Sequence, residues 1–434
     1  MLNNKHENML PFDMSEPPVT VPRFLKPLML GASYIMTRSS HLKIRRIGME
    51  KVGPTFLVLS MHQGFSDYYI APLALYKYNP NYISDMEGFA AFGKTIYRNI
   101  GCIGKRRYVP DVNILRNIGK SFEMGNPVVI FPESRHSNVG TTSYIPKNMG
   151  RLAKHLAKRY GTPLVTLSIH GSYLTNPFGD EEHTRKGKTE ATLELLYTAN
   201  ELVSLDEETI QQAVESKLNY DEYAWQQENH IGFTGRNLAK GLHLPLYLCP
   251  ACNSRYTMIS RDDRLGCTSC RKVWKLSPYG YLYDISGKKY SVTDWYDRER
   301  EDAESYAADY SNSFSVRIEA LPNEYGFVKL GTGTLTVSPD EFTLSFSPRK
   351  KYNYTPSHWT FSEKAKKVTI HFPHRTRESL QTEYNYRGRG PAVVLSHQDM
   401  TYYIYSDDKD FNPTELQFIA EYLYRHSTDK QAYT

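Results

Sequence analysis

Two Cys-x2-Cys pairs fourteen residues apart, Cys249 and Cys252 then Cys267 and Cys270, leave the stretch 248–274 few ways to fold. Each pair sets two thiolates on one tight turn, and joining the turns makes a sulfur tetrahedron that Zn²⁺ accepts without geometric strain. Two disulfides are the other arrangement of these residues, and they need an oxidising compartment. The chain has only 5 Cys, few for a secreted protein, so a structural Zn²⁺ in a reducing, cytoplasmic setting is expected. All four positions are Cys, so the site is closed and serves folding. No stripe of basic and aromatic residues adjoins it, and a nucleic-acid partner is not expected.

The ribbon divides a chain of 434 residues, too long for one ordinary core. Before it, "TFLVLSM" (55–61), "NPVVIF" (126–131) and "TPLVTLSIH" (162–170) read as buried strands. Between them, 111–125 and 148–161 repeat apolar residues at helical spacing and each ends at Gly. Alternating strands and helices imply an α/β layer with a mostly parallel sheet; residues 180–245 read as mainly helical. The first twenty or so residues are polar and contain Pro, the one stretch whose composition suggests disorder.

After the ribbon, 291–310 reads as a charged bridging helix. Short alternating strands follow ("GTLTVS", "EFTLSFS", "KKVTIHF", "AVVLSH", "TYYIYS"), then a helix over 412–426 with Asn412 as N-cap and Pro413 at its first position. This order suggests a small β-rich domain like pleckstrin-homology domains. The expected organisation is an α/β domain over 1–245, a four-cysteine zinc ribbon over 246–284, a helical linker over 285–318 and the β-rich domain over 319–434.

No apolar run approaches the ~20 residues needed to span a bilayer. Residues 21–38, with a short apolar centre flanked by Arg23, Lys26 and Arg38, suit a helix lying in a membrane interface; a helix packed on its own domain fits the same pattern. Net charge is +6, and 101–160 alone holds eleven Lys and Arg against three Asp and Glu. That excess suits an anionic ligand or membrane surface.

In "SMHQGFSD" (60–67), His62 follows a strand and Asp67 opens a helix. Across such a turn the carboxylate can hold one imidazole nitrogen and leave the other to take a proton. With 14 His in the chain, a His-x4-Asp pair alone is weak, and its neighbours decide. "GCIGKRR" (101–107), "FPESRHS" (131–137) and "GTPLVTLSIHG" (161–171) follow in order. Together the four stretches resemble the lysophospholipid and glycerol-phosphate acyltransferases, the PlsC-like HX4D family, over roughly residues 22–175.

The resemblance implies an acyltransferase-like fold for the first domain and a role for each matched residue. His62 would be the general base and Asp67 its orienting partner. Arg107 and Glu133 would bind the acceptor and its phosphate, and Pro163 would lie with the acyl donor, a coenzyme A or acyl carrier protein thioester. Where the pattern has Gly-Thr-Arg-Ser after Glu, this chain has Ser134-Arg135-His136-Ser137, so Arg135 and His136 are both candidate acceptor ligands.

The expected activity is transfer of a fatty acyl group to a hydroxyl of a lysophospholipid-like acceptor, on the cytoplasmic face of an anionic membrane. The altered third stretch keeps a non-phosphate lipid acceptor open. Acyl thioester hydrolysis without an acceptor and a non-catalytic membrane- or partner-binding protein are the rivals. Cys102, the unpaired cysteine, reads as a small buried apolar residue.

Overall fold

The computed structural model describes residues 8–180, 182–349 and 351–427. Among these, the strands form three sheets. The first contains β1 (Lys43–Ile47), β2 (Leu57–Ser60), β3 (Asn81–Asp85), β4 (Cys102–Lys105), β5 (Val128–Ile130), β6 (Leu164–His170) and β7 (Glu190–Tyr197). Their order is β1-β7-β6-β2-β5-β3-β4, parallel throughout except for the β6–β7 pair.

β2 shows why the central strands are continuous apolar runs. Leu57 and Leu59 pack on one side with Ile118, Phe122 and Leu156. Phe56 and Val58 pack on the other with Ile70 and Ala71. Both faces are buried, so the usual alternation disappears. Helix Met149–Tyr160 stops at Gly161, which takes a left-handed φ of 66°. Within it, a side chain on Gly150 would collide with the Glu207 carbonyl, so glycine lets helix Glu207–Leu218 approach closely. The region 180–245 is less helical than its composition suggests, because "EATLELLY" forms β7.

The second sheet, β8 (Met258–Arg261), β9 (Arg264–Cys267), β10 (Val273–Leu276), β11 (Leu282–Tyr283) and β12 (Lys289–Tyr290), is an antiparallel meander carrying the cysteines. Helix Val292–Glu304 lays Trp295, Tyr296 and Ala303 into the same core, and its Glu299 is buried with them, accepting the Leu248 amide at 2.7 Å.

The third sheet holds eight antiparallel strands: β13 (Asn312–Asn323), β14 (Gly326–Val337), β15 (Glu341–Phe346), β16 (Thr360–Ser362), β17 (Lys367–Pro373), β18 (Gln381–Glu383), β19 (Ala392–Ser396) and β20 (Thr401–Tyr405). Their order is β16-β17-β15-β14-β13-β20-β19-β18. Helix Pro413–His426 follows, with Asn412 Oδ1 accepting the Glu415 amide at 3.0 Å.

The sheets do not stand apart. Residues 1–7 lie outside the described residues, but those just after them are ordered by packing, contrary to their composition. Met9 is buried in the core of the third sheet, and Phe12 packs edge-on against Phe89 of the first domain. Asn323 Nδ2 donates to the Asn8 and Leu10 carbonyls at 3.0 and 2.6 Å. Edge strand β18 is wholly buried, lying against the loops that follow β4 and β5.

Candidate active site

β2 ends at Ser60, and the chain turns through His62 to Ser66 into helix Asp67–Ala74. The Asp67 carboxylate organises the turn. Its Oδ2 accepts the amides of Gln63 at 2.7 Å and Gly64 at 3.1 Å, and His62 Nδ1 lies 3.3 Å from the same oxygen. Ser172 Oγ donates to Oδ1 at 2.6 Å. With Nδ1 facing Asp67, the other ring nitrogen, Nε2, is left for chemistry. Ser172, more than a hundred residues away, completes the carboxylate's bonding, and no local motif announces it.

The imidazole is 4% exposed. Phe131 and His136 lie 4.6 and 4.4 Å from its ring centre, and Tyr68 lies 5.6 Å away. His136 in turn meets Phe65 and Phe178, and Phe178 meets Tyr384 of the third sheet. Burial, with the Arg107 charge second, pulls His62 down to about 3, so it is neutral near pH 7. Burial pushes Asp67 up to about 6 against the pull of Ser172 and the two amides.

Glu133, expected beside the acceptor, is 1% exposed and has both oxygens engaged. Oε1 accepts the His62 amide at 3.0 Å, while Oε2 accepts the Ser143 amide at 2.7 Å and the Tyr220 hydroxyl at 3.1 Å. It fixes the backbone of the His62 turn. Burial pushes its carboxyl up to about 7.

The basic residues are engaged too. Arg107 pairs with Asp85, with Glu87 at 2.9 Å and with Gln381 of β18. Arg106 is buried and donates to the Leu321 and Pro322 carbonyls at 3.0 and 2.6 Å, tying the first domain to the third sheet. Arg135 Nη2 lies 3.7 Å from Glu421 of the C-terminal helix, and its Nη1 donates to the His136 carbonyl. These three cations hold domains together, because the groups facing them are carboxylates and carbonyls of neighbouring elements.

His136 does stand at the site. Burial and the neighbouring His62 keep it well below the ordinary histidine range, and its Nε2 is buried without a hydrogen-bond partner. Pro163 does not join the cluster. β2 and β6 run parallel with Leu57 opposite Leu164, so Pro163 lies six residues from the level of His62, roughly 20 Å at ~3.3 Å per residue. Cys102 is buried, as expected, and its thiol is pushed up by burial.

In the ribbon, the four sulfurs lie within 4.8 Å of one another. Cys249 and Cys270 are 3.7 Å apart, and Cys252 and Cys267 3.8 Å. Four metal–sulfur bonds of ~2.3 Å give tetrahedron edges of about 3.8 Å, whereas a disulfide needs about 2.05 Å. The Ala251 and Cys270 amides point at Cys249 and Cys267 sulfurs, both at 3.5 Å, as thiolate ligands require. The cluster fits a tetrahedral metal ion, and the disulfide arrangement is not the one found.

A His–Asp pair stands at the end of a buried strand on a mostly parallel α/β sheet, an arrangement that can take up a proton at Nε2. Residues 43–170 match the family described as Acyltransferase. Among solved structures, the 1-acyl-sn-glycerophosphate (LPA) acyltransferase PlsC from Thermotoga maritima is similar over 45% of this chain and 78% of that one, at 19% identity and a TM-score of 0.36. No curated protein matches the chain.

Proposed function

We propose that the protein is an O-acyltransferase that moves a fatty acyl group from an acyl thioester to a hydroxyl of a lipid acceptor. The observation that carries this is the His62–Asp67 pair inside an acyltransferase domain, with Nδ1 committed to the carboxylate. His62 Nε2 takes the hydroxyl proton as the oxygen attacks the thioester carbonyl. The tetrahedral intermediate collapses to the ester, the carbon–sulfur bond breaks, and the proton passes from His62 to the leaving thiolate. Asp67 stabilises the imidazolium between these steps. Glu133 and Ser172 position the pair from behind, and neither reaches the reacting atoms. His136, neutral and beside His62, offers one ring N–H or one lone pair to a substrate.

The four-cysteine cluster is read as a structural Zn²⁺ site. Cys249 and Cys252, before β8, and Cys267 and Cys270, at the turn from β9 to β10, would hold the ion, which would tie the two turns together. The eight-stranded module with its C-terminal helix is read as a pleckstrin-homology-like fold.

Membrane contact is proposed through helix Leu25–Thr37. It packs on helix Asp67–Ala74 yet exposes Leu28, Tyr34, Ile35 and Met36, with Phe24 before them. No described helix is long and apolar enough to cross a membrane. A peripheral position on the cytoplasmic face accounts for an apolar helix surface next to the helix that begins at Asp67.

The test is transfer from labelled palmitoyl coenzyme A to a panel of lipid acceptors, read by mass spectrometry. Wild type forms an acylated lipid and His62→Ala does not. Equal product from both rejects the mechanism.

A further inference from the structure

On the proposed transfer reading, the acceptor's head must sit beside His62, and the charges there select it. Arg107 is the cation whose field reaches the imidazole, and a phosphate would need it free. It is enclosed instead by Asp85 and Glu87, with Gln381 on the same guanidinium.

The enclosing groups are themselves fixed. The second oxygen of Asp85 caps helix Met86–Phe92, accepting the Glu87 amide at 3.0 Å and the Gly88 amide at 3.4 Å. Glu87 also accepts from the Tyr403 hydroxyl and from Gln381 Nε2 at 3.3 Å. Two carboxylates thus face one guanidinium, and strands β18 and β20 hold them there.

Arg106 and Arg135 do not make up the balance. Arg106 is 4% exposed and bonded to carbonyls; Arg135, also 4% exposed, faces Glu421. His136 is neutral beside His62. A phosphate monoester carries about −1.5 to −2 charges at pH 7. It would have to displace Asp85 and Glu87 from Arg107 and then remain next to both. Like charges so placed reject a ligand as firmly as a steric clash.

We infer that the acceptor carries no phosphate at its reacting end and is a neutral lipid bearing a free hydroxyl, recognised by hydrogen bonds. This is a different substrate from the lysophospholipid-like acceptor that the motif order implies, and it takes the non-phosphate alternative that the altered third stretch kept open.

The experiment compares 1-oleoylglycerol with its 3-phosphate as acceptors for the full-length protein, with palmitoyl coenzyme A as donor. The phosphate-free acceptor should be preferred in kcat/KM by about tenfold or more. Glu87→Gln, which removes one competing charge and keeps a hydrogen-bonding side chain, should narrow that ratio by about threefold or more. Equal use or preference for the phosphate acceptor overturns the inference and leaves acyl transfer standing. If neither acceptor is converted, the transfer reading is judged on the wider acceptor panel. The charge argument is then decided by equilibrium dialysis of both acceptors against the His62→Ala protein, where tighter binding of the phosphate form overturns it and tighter binding of 1-oleoylglycerol supports it.

Discussion

The backbone amide of His62 donates to Oε1 of Glu133 at 3.0 Å, across a gap of 71 residues. One buried carboxylate therefore ties the turn after β2 to the loop after β5. Glu133→Ala strands three donors: the His62 and Ser143 amides and the Tyr220 hydroxyl. At ~1–3 kcal/mol for each buried unsatisfied group, partly relieved by water, a loss of about 3 kcal/mol is expected in urea unfolding. The rate constant should fall at least about tenfold with little change in KM. Because the folded-state value near 7 lies above the ordinary 4.5, Glu133's contribution is full below about pH 4.5 and is lost as pH rises through 7. Glu133→Gln lacks this dependence, so any stability advantage of wild type over it should shrink across that window.

Asp67→Asn should leave the fold intact and lower kcat by about 10²–10⁴-fold, because an amide NH₂ faces donors that the carboxylate accepted. The pH–rate profile tests the same group. With Asp67 near 6 and His62 near 3, kcat/KM should fall as pH drops below about 6, as Asp67 takes up a proton. That limb should disappear in Asp67→Asn.

Arg106→Ala removes the donor to Leu321, Pro322 and Thr401 and leaves buried acceptors behind. Denaturant unfolding, followed by tryptophan fluorescence and far-ultraviolet circular dichroism, should lose about 2–4 kcal/mol. The two signals should also separate, since the bond holds two domains together. Coincident, unshifted transitions would show that Arg106 does not couple them.

Purified protein should contain one zinc ion per chain by elemental mass spectrometry, and Cys267→Ser should lose it. Trp274 and Trp295 pack together in the ribbon core at 5.1 Å, so metal removal should also collapse near-ultraviolet circular dichroism. A fully metal-free protein with native dichroism would reject the site.

Leu28→Asp combined with Ile35→Asp should reduce binding to vesicles at least about tenfold without altering unfolding, since both side chains are exposed. Salt should weaken binding less than the charge count of 101–160 suggests, because Arg106, Arg107 and Arg135 already have partners.

The legible parts of this chain are those whose physics is local. β2, β5 and β6 are buried on both faces, so they appear as apolar runs. β1 (KIRRI) is largely exposed, and its strand character comes from pairing with β7, which composition cannot show. His62 and Asp67 are readable because one turn contains both. Ser172, Tyr220 and Ser143 are not, since the fold alone brings them near. The basic stretch misleads for the same reason: a sequence counts Arg106 and Arg107 as charge and does not see the Leu321 carbonyl or Asp85. Pro163 matches a motif in order, but strand direction puts it at the far end of the sheet.

Met9 packs among strands β13 to β20, which has a consequence for how the protein is born. A ribosome adding ~5–20 residues per second needs roughly 15–60 s between residue 9 and the first strand of that sheet, and longer before Tyr402 emerges. Throughout that time Met9 has no core to enter. The first sheet can close meanwhile and take up residues 14–20, whose Met14, Glu16 and Val19 carbonyls accept from Asn117 and Asn81, but Met9 must wait for the third. Met9 is therefore fastened long after it is made, by strands that follow it by about three hundred residues.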